Sequence, residues 1–147
     1  MKDASNFILQ GIASLLVGNV EYDSTVVPFY ALSQEPDETA TRFVNVSSSY
    51  GGGDEGSKDG FMKPYTVNID IVDLSTDGTL SERAVNAISS LVTQILIPSK
   101  GASGLSSDSE FSVVRTTVPR ITPFTNRRDI YWHIRKVVEV EFLIQEL

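Results

Sequence analysis

The chain has 147 residues, no cysteine, a single histidine, His133, and a formal net charge of −7. That inventory excludes disulfides and a thiolate metal centre, and it argues against nucleic-acid binding through the surface as a whole, because few phosphates would be neutralised. Hydrophobic residues at 41% and charged residues at 21% are ordinary globular values, so one folded domain over 1–147 is expected.

Residues 1–18 carry Lys2 and Asp3, and Gln10 and Ser14 interrupt the apolar run, so the segment reads poorly as a secretory signal. No run approaches the ~18 apolar residues of a membrane span, and no membrane partner is expected. Within 4–17, Phe7, Ile8, Ile12, Leu15 and Leu16 recur at three- and four-residue steps, which predicts an amphipathic helix facing a core. Asp3 or Ser5 would cap it, and Gly18-Asn19 would stop it. Residues 26–32 are apolar enough for a short strand, but Pro28 points to an edge or irregular position. Residues 33–42, with Glu35, Pro36, Asp37 and Glu38, predict an exposed, flexible loop.

The stretch "FVNVS" at 43–47 reads as a strand. At 64–73, Tyr65, Val67, Ile69 and Ile71 alternate with Thr66, Asn68 and Asp70, the pattern of a strand with one buried and one wet face. Asp77-Gly78 marks a turn, and Thr79-Leu80-Ser81-Glu82 has capping-box spacing ahead of a second helix over 81–97. That helix carries Val85, Ile88, Leu91, Val92, Ile95 and Leu96 on its stripe and ends at Pro98. Residues 99–110 form a polar, flexible loop, 111–118 a third strong strand, and 119–128 a connection. A long strand over 129–146 follows, its even positions apolar except at Lys136. The order predicts an α+β domain of two layers: an antiparallel four-stranded sheet from 43–47, 64–73, 111–118 and 129–146, with both helices on one face.

Between the first two strands lies "SSYGGGDEGSKDGF", and the whole of 48–63 is expected to be a flexible hairpin arm. Its Lys58 follows Ser57 and a strand comes next, so neither the order nor the context of a phosphate-binding loop is met. Asp54, Glu55 and Asp59 lack the alternating ligand spacing and distal glutamate of a calcium loop. What remains is a solvated connection of about ten residues, well beyond the usual two to five, projecting where a partner could order it. Tyr50, Asp54, Glu55, Lys58, Asp59 and Phe61 are therefore candidate interface residues.

No other cluster carries chemistry. Asp70 and Asp73, three apart on a strand, face opposite sides and share no metal easily. His133 has no nucleophile or second ligand within its pattern, and Trp132 is expected to anchor the core. No catalytic group, metal or cofactor is expected. Charge is unevenly distributed, however. Acids dominate residues 1–60, whereas 115–136 carries Arg115, Arg120, Arg127, Arg128, Arg135 and Lys136 against Asp129 alone. Arg115, Arg120, Arg127 and Arg128 are the second half of the candidate interface. An oppositely charged neighbour, including another copy of the chain, suits such a surface better than nucleic acid does.

Taken together, the N-terminal helix, "RFVNVSSSY", "YTVNIDIVD", "SERAVNAISSLVTQIL", "FSVVRTTV" and "IYWHIRKVVEVEFLIQE" resemble the tail-terminator or tail-completion proteins of tailed bacteriophages. The resemblance covers nearly the whole chain and rests on element order and strand texture. It implies a structural virion protein, assembled in the host cytoplasm, that forms a ring, usually a hexamer, at the head–tail junction. Its partners would be copies of itself and other neck and tail proteins, with DNA passing through the lumen without specific binding. The alternatives are another neck adaptor or stopper, a small enzymatic or ligand-binding domain, and a nucleic-acid-binding module built on 115–136.

Overall fold

The computed structural model describes residues 2–52, 55–57 and 60–147. Its elements run α1 (Ser5–Leu16), β1 (Glu21–Tyr22), β2 (Thr25–Val26), β3 (Phe29–Tyr30), β4 (Arg42–Gly51), β5 (Glu55–Ser57), β6 (Gly60–Ser75), α2 (Gly78–Leu96), β7 (Phe111–Arg128) and β8 (Tyr131–Glu146). β1 and β2 make a separate two-stranded sheet. Asp23 and Ser24, with φ of 52° and 62°, supply the positive φ values that a two-residue hairpin turn demands.

The main sheet has six strands in the order β3-β4-β6-β8-β7, with β5 also pairing β6. It is mixed, because β3 pairs parallel with β4 while the other pairings are antiparallel. The α+β class therefore stands, but the expected four-stranded antiparallel sheet does not. Two short strands account for the difference. The 26–32 run contributes β3 at the margin, where Pro28 uses its carbonyl to accept from Val44 N–H at 2.9 Å and no amide is missed. The second addition is β5, which pairs with β6 from Glu55↔Met62 to Ser57↔Gly60.

That pairing also replaces the long connection expected between the 43–47 and 64–73 strands. β4 runs on to Gly51 and β6 begins at Gly60, so only residues 58 and 59 separate β5 from β6. Gly51 and Gly52 serve close approach rather than freedom. A Cβ at Gly52 would stand 2.8 Å from Pro64 Cγ, and one at Gly51 2.9 Å from Lys63 Cε. Gly52 N–H donates to the Pro64 carbonyl at 2.8 Å.

The 119–128 segment, expected as a connection, is the outer half of β7, paired with β8 up to Arg128↔Tyr131. Pro119 and Pro123 suggested a break, yet β7 is the last strand of the sheet, where an amide pointing outward has no ladder partner to lose. Pro119 also lies within one of two register shifts, between Thr117 and Arg120, and such bulges tolerate proline.

Antiparallel partners share a face, so the register assigns each side chain. Tyr65↔Phe142, Val67↔Val140 and Ile69↔Val138 point to the helices, and all six are buried. α2 packs across β6 and β8, and α1 packs on α2 and β4. Ile8, Ile12 and Leu16 from α1 and Val85, Ile88, Val92 and Leu96 from α2 complete the core. Each such burial stabilises by roughly 1.5–3 kcal/mol relative to exposure. The cap of α2 differs from the capping-box expectation. The helix starts at Gly78, and the Asp77 carboxylate accepts from Thr79 and Leu80 N–H at 3.0 and 3.1 Å, whereas Ser81 is buried against the sheet. α1 has no side-chain cap on its first turn; Asp3 instead accepts from Ser5 N–H and Oγ. Gly18, at φ 73°, follows its end as expected.

Candidate interaction surface

Among the described residues no helix covers the other face of the sheet, and the candidate residues are spread unevenly over the sheet. Tyr50 and Phe61 are exposed toward the N-terminal end of β6, Tyr50 opposite Thr66 and Phe61 opposite Gly56. Glu55 lies in β5, and Asp54, Lys58 and Asp59 fall outside the described residues. Arg127 and Arg128 stand at the far end of the sheet, beside Trp132 and Tyr131 in register. β6 spans the distance between these ends with 16 residues, roughly 50 Å of extended chain. Arg115, level with Leu143 and Pro64, lies toward the first end and Arg120, level with Glu139 and Asn68, between the two, so the candidates spread along the sheet and form no single site.

The arginines line β7. Arg115 and Arg120 sit opposite Leu143 and Glu139, and Arg128 opposite Tyr131, which places them on the helix-free side. Arg127 lies on the helix side, its guanidinium 5.3 Å from the Trp132 ring centroid. Trp132 itself is partly buried against the core and crowds Gly78, where a Cβ would come within 3.1 Å of its ring.

Folding cancels part of the basic segment that the sequence displays. Arg115 pairs with Glu141 at 3.6 Å and Arg135 with Asp70 at 3.5 Å. Arg135 also lies over Phe124, 4.5 Å from its centroid. Arg120 and Arg128 have no ion pair among the described residues. Of the six cations of 115–136, Arg115 and Arg135 are thus the two with a carboxylate partner among the described residues.

A polar network that the sequence did not suggest centres on Asp70, 7% exposed. Ser47, at the register shift between Val46 and Ser48, donates to Asp70 Oδ1 at 3.0 Å. Burial pushes the Asp70 carboxyl above its ordinary range, while the Ser47 hydroxyl and then the Arg135 guanidinium pull it down. Burial, followed by the nearby Arg135 and Arg128 charges, pushes the His133 imidazole below its usual value, and Asp70 opposes this. Asp73 lies on the opposite side of β6 and pairs with Arg42 at 3.4 Å, so the two aspartates do face apart.

At the β6 C-terminal end the open face turns apolar. Phe43, Val72, Leu74, Tyr131 and His133 floor a groove of about 740 Å³, with Glu38 on one rim and Arg128 on the other. Its sequence signal was the loss of alternation after Asp70: Val72 and Leu74 are apolar at positions where Thr66 and Asn68 are polar. Among the described residues, no cluster of three or more His, Asp or Glu could hold a metal ion. No helix is long and apolar enough to cross a membrane.

No family model matches the sequence, and no curated protein matches it. Among solved structures, a chain from the virion of a native gene transfer agent particle is similar. It is 17% identical and superposes with a TM-score of 0.55, covering 90% of this chain and 84% of that one. At that identity the likeness is one of fold: the helices and sheet described above share their arrangement with a virion component.

Proposed function

We propose that the chain is a structural subunit of a phage-like virion, and more specifically a tail-terminator or tail-completion subunit that closes into a ring at the head–tail junction. The observation that carries this reading is the fold shared with a gene transfer agent virion chain over 90% of the length. It agrees with the resemblance of the sequence to tail-terminator proteins. The sheet adds a physical argument. β7 leaves an 18-residue outer edge, and at the other margin β3 covers only Val44 and Asn45 of β4. Open edges at both margins suit a head-to-tail contact between copies, which closes into a ring when the rotation per subunit permits. The acidic whole would let DNA pass without sticking.

The test is native mass spectrometry and electron microscopy of the purified protein, alone and with phage-like tail tubes. Closed rings of one size, or rings seated on one end of the tube, are the expected result. Rings on the portal side only would move the assignment to a neck adaptor or stopper. A chain that stays monomeric alone and with tubes would sink the virion-ring reading, and tight DNA binding at physiological salt would sink the passive-lumen part.

A further inference from the structure

The two margins of the sheet carry opposite charge. β7 contains Arg115, Arg120, Arg127 and Arg128 and no acid. At the other margin, the β1–β2 hairpin and the β3–β4 connection contain Glu21, Asp23, Glu35, Asp37 and Glu38, and no lysine or arginine occurs between Lys2 and Arg42. All five acids are exposed, and none has an ion pair among the described residues.

Four inter-strand steps separate β3 from β7, about 19 Å at the usual strand spacing. That exceeds the ~8 Å Debye length at physiological salt, so the margins as wholes do not satisfy one another within a chain. Only Glu38 and Arg128 approach the same groove, and they form no ion pair. Both margins also expose apolar side chains between the charges: Val114, Ile121 and Phe124 on β7, Val26 and Leu32 on the acidic side. Charges of one sign interleaved with exposed apolar groups form a surface that gains from an oppositely charged apolar counterpart.

We infer that the occupant of the β7 margin is a second copy of this chain, presenting its acidic β3–β4 connection, so that successive copies join basic edge to acidic edge. This rests on the ring reading for its biological setting, but it specifies which surfaces meet and makes their charge the determinant of partner choice. The contact is heterologous: each copy offers one margin of each sign, and one polarity of assembly is selected. Arg120 and Arg128, without an ion pair among the described residues, are the principal cations. Glu35 and Glu38 are the principal anions.

The test uses two variants of the full chain, both checked by thermal melting. Arg120→Glu with Arg128→Glu sets acids opposite the partner's Glu35 and Glu38 and takes β7 from four positive charges to formal neutrality. Glu35→Lys with Glu38→Lys sets cations opposite the partner's Arg120 and Arg128 and leaves the other margin only Glu21, Asp23 and Asp37 as acids. Each alone is expected to self-associate at least about tenfold more weakly than the wild type, since like charges then face one another. An equimolar mixture is expected to recover assemblies with the two variants in equal proportion, and wild-type association is expected to weaken as salt rises. Rings that form with undiminished affinity from either variant would overturn the charge-keyed edge while leaving the ring reading intact. Open chains in the mixture without closed rings would uphold the edge and count against the ring. Failure of the mixture to associate, with both variants folded, or a wild type monomeric even at low salt, would overturn the inference.

Discussion

Along β6 and β8 the same ladder presents two chemically unlike faces. On the helix side Val67↔Val140 and Ile69↔Val138 meet as fully buried aliphatic pairs; one residue along, Asn68↔Glu139 and Asp70↔Val137 face outward. The helix side is held by volume, and a missing methylene there leaves a void. The open side is held by cross-strand pairs that fix charge. Its arginines divide into those that carboxylates of the same sheet occupy and those left at the margin. A stretch that looks uniformly basic in sequence thus becomes, once folded, a partly neutral face with a charged rim.

Substitutions can break this contrast one side at a time. Phe142, fully buried between Tyr65 and Thr116 in register, tests the helix side. Phe142→Ala should cost about 3–5 kcal/mol in denaturant unfolding, and a loss below about 1 kcal/mol would mean that the face is not packed as described. Arg135 is the most committed cation of the open side. Arg135→Ala strips the buried Asp70 of its ion pair and Phe124 of its stacked guanidinium, and should cost about 1–3 kcal/mol by the same measurement. Arg115, itself exposed and paired with the half-buried Glu141, should matter less: Arg115→Ala is expected to change stability by under about 1 kcal/mol and to be insensitive at high salt.

The most delicate test is pH. Asp70 is harder to ionise in the folded chain, so its contribution is fully present below the ordinary value of 3.8 and is lost as pH rises through the raised folded value. His133 is harder to protonate when folded, so stability falls as pH drops from 6.5 through its lowered folded value. Asp70→Asn should flatten the first slope and leave the second in place. An unaltered acid-side profile would remove Asp70 as its source.

Much of this architecture was legible because periodicity records burial. The alternation of Tyr65, Val67, Ile69 and Ile71 located β6, and the stripe from Val85 to Leu96 located α2. The misreadings came from residues whose meaning depends on position in the sheet. Pro119 and Pro123 look like breakers until β7 is known to be the last strand. Gly51 and Gly52 look like slack until Pro64 and Lys63 are seen beside them. Cross-strand pairs such as Ser47 with Asp70 were invisible, because neither partner reveals register and the bulge that aims Ser47 leaves no local signature. The division of the arginines into paired and unpaired was hidden for the same reason.

β8 pairs with β6 on one side and β7 on the other, and its partners in β6 precede it by 83 positions at Met62↔Gln145 and 57 at Ser75↔Trp132. During synthesis the β6 edge that β8 occupies therefore stays unpaired until β8 has emerged from the ribosome, although α2, which packs on β6, is made earlier. Contacts so distant along the chain form slowly, and the nascent domain passes through an interval in which that unpaired edge of β6 is open to chance pairing with other chains. Slowing translation just before β8 should lengthen that interval and lower the soluble yield without altering the finished molecule.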